Sequence, residues 1–244
     1  MKMSQMPKVC VAVPTYNERE NVSRLIPMLL GVFRDNTIDG WVLIVDDSSA
    51  DGTGEIADAL SREHRNIRVI HRTAKLGIGS AYKEAFSTAL MDAETGIIVE
   101  MDADLSHDPI YLPSILHAAQ QSGGIGLGSR YVKGGRVEGW SRKRRLVSWG
   151  ANFLTRMILG LHVKDATSGY RAYTRGALTK IGYLEAGTKA YAFQVEMLHR
   201  CEKHKFPIQE VPITFHERKV GKSKLTKGDI LDFLKTLLRL RLRF

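Results

Sequence analysis

Short apolar runs alternate with segments of helical periodicity through the first half of the chain. Five of the runs are rich in branched or aromatic residues and are short enough to be buried strands, at residues 9–13, 41–45, 67–70, 96–101 and 125–127. Between them, apolar residues recur three and four positions apart, as on the buried face of a helix. This alternation predicts βαβ units, and therefore a mostly parallel central sheet that is covered by helices on both faces.

The second half of the chain is less regular but continues the same domain. Its apolar patterns predict two helices, a strand and a terminal helix, at residues 152–161, 191–203, 208–213 and 230–243. No repeat, low-complexity tract or linker rich in Pro, Gly and Ser divides the chain. We therefore expect a single Rossmann-like α/β domain over residues 1–228, followed by an amphipathic helix over residues 229–244.

The charge of the chain is concentrated in two segments. Of the 244 residues, 43% are hydrophobic and 25% are charged, which is typical of a soluble globular protein, but the net charge is +10. Residues 130–145 hold seven basic residues and one acidic residue, and residues 216–244 hold nine basic and three acidic ones. Two basic segments on an otherwise near-neutral protein indicate a partner with several negative charges. A nucleic acid, a phosphorylated metabolite and an anionic membrane surface are the three candidates.

Other patterns exclude some classes of protein. No apolar run approaches the about 20 residues that a membrane-spanning helix needs. The two cysteines, Cys10 and Cys201, fall in a predicted strand and a predicted helix and are too few for a disulfide framework. Both observations favour a cytoplasmic protein with reduced thiols.

Acidic residues follow three of the predicted strands. Glu18 comes after the first strand, Asp46 and Asp47 after the second, and Asp102 and Asp104 after the fourth. Because ligands of parallel sheets bind outside the carboxyl ends of the strands, these carboxylates are expected to line one crevice. For any single cluster the alternative is a purely structural role, because Asp residues commonly cap turns and helices.

The Asp102-Ala103-Asp104 segment is the most specific of these clusters. Alternate spacing across a turn lets two carboxylates approach the same ion, and hard oxygen ligands select Mg²⁺ or Mn²⁺. Such an ion holds a diphosphate and neutralises its charge as a bond to it breaks. His107 follows on the same loop, where we prefer a capping or supporting role to that of a base or a ligand.

Six segments in order give the chain a specific resemblance. The segments are VPTYNE at 13–18, VDDSSADGT at 45–53, EMDADLSH at 100–107, GSRY at 128–131, DATSGYRAY at 165–173 and FHERKVGKSK at 215–224. The first four resemble family 2 inverting glycosyltransferases with the GT-A fold, and the last two resemble the dolichyl-phosphate (polyprenyl-phosphate) β-D-mannosyltransferases within that family.

The resemblance implies both substrates and the residues that bind them. GDP-mannose is the implied donor and a polyprenyl or dolichyl monophosphate in a membrane is the implied acceptor, with inversion to a β-linked product. The residues implied to border the nucleotide are Pro14, Tyr16, Glu18, Val45 and Asp47. Those implied to contact the metal ion and the sugar diphosphate are Asp102, Ala103 and Asp104, with the ion on Asp102 and Asp104.

Four basic residues are expected to bind phosphate groups. Arg130 follows the fifth strand at the edge of the crevice, and an ion pair with a nearby carboxylate is its alternative role. Arg145 lies in a segment that is expected to be a mobile loop, and we expect it to reach the acceptor phosphate. By resemblance, Arg218 and Lys224 close over the donor diphosphate.

A phosphate acceptor removes the need for a general base. The second pKa of a phosphate monoester is about 6, so the acceptor is largely dianionic near neutral pH. Catalysis is then expected to depend on neutralising and aligning anions, with Asp102, Asp104, Arg130 and Arg145 as the catalytic residues.

Several alternatives remain open at this stage. UDP-glucose is the alternative donor, because these residues do not distinguish the sugars. No nucleic acid is expected, since the basic segments flank carboxylates that would repel a phosphate backbone. The terminal helix either lies in a membrane interface or packs against the domain. We expect the protein on the cytosolic face of a membrane, the endoplasmic reticulum in a eukaryote, bound by this helix or by small membrane subunits.

Overall fold

Nine strands run through the part of the chain that the computed structural model describes, residues 6–188, 191–217 and 227–243. They are β1 Lys8–Thr15, β2 Gly40–Asp46, β3 Ile67–His71, β4 Thr95–Glu100, β5 Ile125–Ser129, β6 Arg136–Glu138, β7 Arg171–Thr174, β8 Ile208–Pro212 and β9 Thr214–His216. Seven of them form one sheet in the order β3-β2-β1-β4-β7-β5-β8, and β6 pairs with β9 in a second, parallel sheet.

The central sheet is parallel except at one strand. β1 pairs in parallel with β2 on one side and with β4 on the other, which brings the carboxyl ends of all three to the same edge. β7 is antiparallel to both of its neighbours, β4 and β5. The prediction of a mostly parallel sheet is confirmed. β7 was not predicted, because it is four residues long and begins with the charged Arg171.

Eight helices cover the sheet within the same described residues. They are α1 Arg19–Asp35, α2 Thr53–Glu63, α3 Ile78–Met91, α4 Leu112–Ser122, α5 Arg142–Leu159, α6 Arg175–Lys180, α7 Tyr191–Lys203 and α8 Lys227–Arg243. One apolar layer packs α1 and α4 against one face of the sheet, and a second packs α3, α6 and α7 against the other.

Helix α5 corrects the expectation of a mobile loop at Arg145. The helix begins at Arg142, ten residues before the predicted start, because the Ser141 side chain caps it by accepting a hydrogen bond from the Arg144 N–H. Gly160, with a φ of 69°, ends it in a left-handed conformation. Arg and Lys are good helix formers, so the basic run continues the helix.

The terminal helix α8 packs against the body of the protein. Leu237 and Leu240 are buried in a cluster with Leu159 of α5 and Leu198 of α7, and Leu238 is exposed. Of the apolar stripe predicted for a membrane interface, Leu237 is therefore buried, and Phe233 and Leu234 are partly buried against the same cluster, which is the alternative given above. None of the described helices is both long enough and apolar enough to span a bilayer.

Glycine at position 126 is predicted to be essential for the packing of α4 on β5. A Cβ there would overlap the carbonyl oxygen of Ile115 and lie 3.0 Å from the Ala119 nitrogen. We expect Gly126→Ala to lower the free energy of unfolding by about 1–3 kcal/mol, measured by urea denaturation. Gly176→Ala is the matched control, since nothing lies within 4 Å of a Cβ at that helical position. Equal stability of the two variants would contradict the prediction.

Candidate functional site

The loop of residues 102–107, which we call the Asp-x-Asp loop, follows β4 at the carboxyl edge of the sheet. One oxygen of Asp104 accepts hydrogen bonds from the Ser106 N–H at 3.0 Å and from the Ser106 hydroxyl at 2.5 Å. Leu105 between them has a φ of 62°, in the left-handed region that a non-glycine residue rarely adopts. The Asp104 carboxylate thus holds its own loop in a tight turn.

The Asp102 carboxylate is partly exposed at the carboxyl edge of the sheet. Its side chain is 34% exposed, while His107 is buried. Gly169 lies next to both residues, because a Cβ at that position would be 3.4 Å from Cε1 of His107 and 3.6 and 3.7 Å from the two carboxylate oxygens of Asp102. A larger side chain at position 169 would therefore pack directly against the Asp102 carboxylate.

The two carboxylates fit a divalent cation that shares its ligands with a substrate. Asp102 and Asp104 are both partly exposed and supply the hard oxygen atoms that Mg²⁺ and Mn²⁺ prefer. Within the described ranges, no group of three or more His, Cys, Asp or Glu side chains could hold a metal ion. The protein therefore offers two carboxylates, and diphosphate oxygens and water are the fitting partners for the rest of the coordination shell.

The residues predicted to border the nucleotide lie at the ends of β1 and β2. Tyr16 is 40% exposed, with the Lys75 ammonium 3.6 Å from the centre of its ring. Pro14 and Glu18 are partly buried on the same segment. Val45 is wholly buried among core residues of α3, so its side chain faces away from solvent.

Asp47 is buried and its carboxylate joins two other segments. One oxygen accepts a hydrogen bond from Arg72 at 2.6 Å, and the other accepts from the Gly77 N–H at 2.8 Å. Gly77 has a φ of 91°, which favours glycine, and it directly precedes α3. Asp47 therefore fixes the start of α3 at the edge of the predicted nucleotide site. Its contact with the base or the ribose stays a prediction.

Arg130 forms the ion pair that was its alternative role. Its Nε and Nη2 atoms each donate to Asp165 at 2.7 Å, and its backbone N–H donates to the same carboxylate at 2.9 Å. Burial by itself raises the pKa of Asp165, but the Arg130 charge and hydrogen bonds outweigh burial and hold that pKa below its ordinary value. Whether Arg130 also binds phosphate stays a prediction.

The first turn of α5 carries the other basic residues at this end of the site. Arg145 is exposed and donates to the Val137 carbonyl oxygen at 3.1 Å. Arg144 pairs with Glu217 at 2.7 Å and lies over the ring of Trp140. Because the N-terminus of a helix favours negative charge, these arginines and the helix dipole all attract anions. Arg218 and Lys224, the other predicted phosphate ligands, lie outside the described residues.

Several residues that shape the site had no role assigned from the sequence. Asp165 and Gly169 belong to the DATSGYRAY segment at 165–173. A single acidic residue among small and aromatic residues could have indicated that Asp165 has a role in the site. Arg72 and Lys75 lie in a segment without a motif, and their contacts with Asp47 and Tyr16 depend on the packing of β3 and α3. The structure thus mainly identifies residues that contact the predicted site residues.

The Asp165–Arg130 pair is predicted to stabilise the fold strongly. Asp165→Asn leaves a buried guanidinium without its counter-charge, so we expect a loss of about 3–5 kcal/mol in the free energy of unfolding at pH 7. Because the folded-state pKa of Asp165 is lowered, this contribution is complete above the ordinary pKa of about 3.9 and is lost as the pH falls through the folded-state value.

The measurement is urea denaturation of wild type and variant at pH 7 and at pH 3. The difference between the two proteins should be smaller at pH 3. Asp35→Asn is the matched control, since Asp35 forms an exposed pair with Arg34 and its loss should cost at most about 1 kcal/mol. A difference for Asp165→Asn that does not shrink at low pH would contradict the prediction.

Comparison with known proteins connects this site to one family. Residues 10–182 match the sequence profile described as "Glycosyl transferase family 2". The polyprenol monophosphomannose synthase of Mycolicibacterium smegmatis is 41% identical over 226 residues, which cover 92% of this chain and 83% of that protein. The undecaprenyl-phosphate mannosyltransferase of Micrococcus luteus is 42% identical over 221 residues, which cover 91% of this chain and 88% of that protein.

Solved structures share the fold at much lower sequence identity. The glucosyl-3-phosphoglycerate synthase of Mycobacterium tuberculosis in complex with Mg²⁺ and uridine diphosphate has a TM-score of 0.69 at 19% identity, covering 96% of this chain and 79% of that chain. The same enzyme with Mn²⁺, UDP-glucose and phosphoglyceric acid has a TM-score of 0.66 at 20% identity, covering 96% and 80%. These likenesses concern the fold alone, and they confirm the expected GT-A fold.

Proposed function

The chain belongs to glycosyltransferase family 2, and we propose that it transfers mannose from GDP-mannose to a polyprenyl or dolichyl monophosphate with inversion at the sugar. The observation that carries the proposal is the pair of mannosyltransferase relatives, at 41% and 42% identity over more than nine tenths of the chain. Both relatives are named for a polyprenyl lipid. The resemblance of the last two sequence motifs to polyprenyl-phosphate mannosyltransferases agrees with both names.

The donor end of the site is proposed to be metal-dependent. Asp102 and Asp104 would hold Mg²⁺ or Mn²⁺, which, when bound, supplies positive charge for the diphosphate that leaves. Asp104 is fixed by Ser106, and Asp102 is partly exposed next to Gly169. Pro14, Tyr16, Glu18, Val45 and Asp47 are proposed to border the nucleotide, with Ala103 next to the sugar diphosphate.

The acceptor end is proposed to work by positioning a second anion. The acceptor phosphate already carries the negative charge of a nucleophile, so no residue has to remove a proton from it. Arg145 at the exposed start of α5 is proposed to bind this phosphate, with Arg130, Arg218 and Lys224 as further cationic partners. Two hydrogen bonds to Asp165 hold the Arg130 guanidinium in one orientation. This supports a role for Arg130 in binding a phosphate at a fixed position.

The proposed donor and acceptor are tested together by a transfer assay. The purified chain is incubated with polyprenyl phosphate, Mg²⁺ and either labelled GDP-mannose or labelled UDP-glucose, and label in the lipid extract is measured. We expect lipid labelling from GDP-mannose, and a β-linked product when its anomeric configuration is determined by NMR. Labelling from UDP-glucose alone would contradict the proposed donor, and an α-linked product would contradict inversion.

Helix α5 exposes an apolar face that suits attachment to a membrane. Trp149 and Phe153 stack on one another at 5.6 Å and are both about half exposed. We call the exposed apolar residues of the helix the α5 face, and they are Leu146, Val147, Trp149, Phe153, Leu154 and Met157. Leu238 and Leu242 are exposed on α8, which packs against α5.

We propose that the α5 face lies in the surface of an anionic bilayer, which places the protein peripherally on the cytosolic face of a membrane. Exposed basic side chains accompany the apolar ones at Arg142, Lys143 and Arg145 on α5 and at Arg239 and Arg243 on α8. An apolar stripe beside basic residues is the pattern of interfacial helices. A lipid phosphate acceptor is presented at the same surface, so attachment there brings the acceptor to the site.

Attachment is tested by co-sedimentation with phosphatidylcholine vesicles, with and without phosphatidylglycerol. Met157→Glu should weaken binding to the anionic vesicles roughly tenfold or more, because burial of a Met side chain contributes about 1.5–3 kcal/mol. Met91→Glu is the matched control, since Met91 is exposed at the end of α3, away from α5, and should bind like wild type. Wild type that binds neither vesicle, or a control that weakens binding equally, would contradict the proposal and favour small membrane subunits as the anchor.

A further inference from the structure

His107 lies at the centre of the contacts that hold the Asp-x-Asp loop. Its imidazole is buried and is stacked on the ring of Tyr170, with ring centres 5.1 Å apart and planes 23° apart. On another side, the ring of Phe215 meets it edge-on at 5.6 Å. The two aromatic rings fix the plane of the imidazole, and a hydrogen bond from Asp102 fixes the position of Nδ1 within that plane.

Both nitrogens of this ring face the same aspartate. The Asp102 backbone N–H donates a hydrogen bond to His107 Nδ1 at 3.1 Å. Because Nδ1 accepts a proton donor, the proton of the neutral ring is on Nε2. Nε2 lies 3.8 Å from Oδ2 of Asp102, which is close enough for a charge interaction but too far for a hydrogen bond. One buried side chain thus contacts both the backbone and the carboxylate of Asp102.

The same residue ties the loop to β9. His107 forms an isolated antiparallel bridge with Phe215, and the His216 N–H donates to the Ser106 carbonyl oxygen at 3.3 Å. Ser106 in turn donates to Asp104, so the support reaches both carboxylates. Gly169 completes the surroundings, since a Cβ there would be 3.4 Å from Cε1 of His107.

We propose that His107 is a positioning residue, which holds Asp102 in the orientation that a divalent cation requires and so sets the affinity of the site for the cation. It is not a ligand, because its Nδ1 lone pair is engaged by Asp102 and the ring is buried. The inference rests on the proposed function, in which Asp102 and Asp104 hold the cation. Partners that orient carboxylate ligands commonly change metal affinity by about 10–100-fold when they are removed.

The test is a titration of Mn²⁺ in the presence of GDP, in which electron paramagnetic resonance measures free Mn²⁺. His107→Phe keeps a flat ring between Tyr170 and Phe215 but removes the acceptor, and we expect it to weaken Mn²⁺ binding by about 10–100-fold. His107→Asn restores an acceptor near the position of Nδ1 and should recover most of the affinity. His117→Phe, on an exposed position of α4, is the matched control and should bind like wild type.

A second readout separates positioning from general damage to the fold. GDP binding in the presence of EDTA should be unchanged in His107→Phe, because the proposal concerns the cation alone, and circular dichroism should show an unchanged fold. If this variant does not fold, His107→Gln takes its place. Its amide reaches the position of Nε2 but leaves the Asp102 N–H without an acceptor, so the same loss of Mn²⁺ affinity is expected.

Failure of the inference and failure of the proposed metal site give different results. If Asp102→Asn and Asp104→Asn both bind Mn²⁺ like wild type, the proposed metal site is wrong. If those two variants lose Mn²⁺ while folded His107→Phe or His107→Gln binds it within about twofold of wild type, below the range expected for an orienting partner, the role of His107 is wrong. If His107→Phe loses as much affinity for GDP in EDTA as it loses for Mn²⁺, the role of His107 in cation binding is also wrong.

Discussion

The buried ion pair between Arg130 and Asp165 connects most of the elements that surround the crevice. Arg130 directly follows β5, and Asp165 lies in the segment that leads into the antiparallel strand β7. Asn152 of α5 donates to Asp165, and Glu210 of β8 accepts from the Asp165 N–H. Asp165 therefore ties α5 to the end of β5 through its carboxylate and ties β8 to the same point through its backbone N–H. The cost of burying these charges is offset because Asp165 is bonded on both oxygens.

The influence of this pair extends to the carboxylates at the crevice through aromatic rings. The Arg130 guanidinium lies 5.3 Å from the ring of Phe215 and 5.7 Å from that of Trp140. Phe215 contacts His107, which in turn contacts Asp102. Phe215 thus contacts both Arg130 and His107, and a continuous chain of contacts runs from the buried ion pair to the backbone and the carboxylate of Asp102.

The sequence predicted the regular part of this arrangement and not the contacts across it. All five strands of the first half are confirmed, since each is a short, mostly apolar run, and all except the edge strand β3 are almost wholly buried. β7 was missed because its burial comes from insertion between β4 and β5, which no local pattern reveals. The prediction of a loop at Arg145 was wrong because Ser141 and Gly160 cap a helix that includes this basic segment.

In the candidate site, too, the positions of residues could be predicted from the sequence and their contacts could not. Asp102, Asp104 and Asp47 were predicted from their places at strand ends and Tyr16 from the family resemblance, and all four lie at the carboxyl ends of strands. The motif could not show that Arg130 is held by Asp165 or Asp47 by Arg72, because a motif records residue types and not their partners. The roles given to Arg218 and Lys224 remain predictions, since both residues lie outside the described part of the chain.

Helix α5 gives a physical reason to connect the basic residues with the proposed lipid. Basic residues in a first helical turn oppose the helix dipole, at about 0.3–1 kcal/mol each, and α5 has four of them and no acidic residue there. An anion at this turn would offset that cost. The same helix carries the α5 face further along its length, and its 18 residues span about 27 Å. If the α5 face lies in a bilayer surface, the basic turn lies at the level of the lipid phosphates, because one rigid helix carries both.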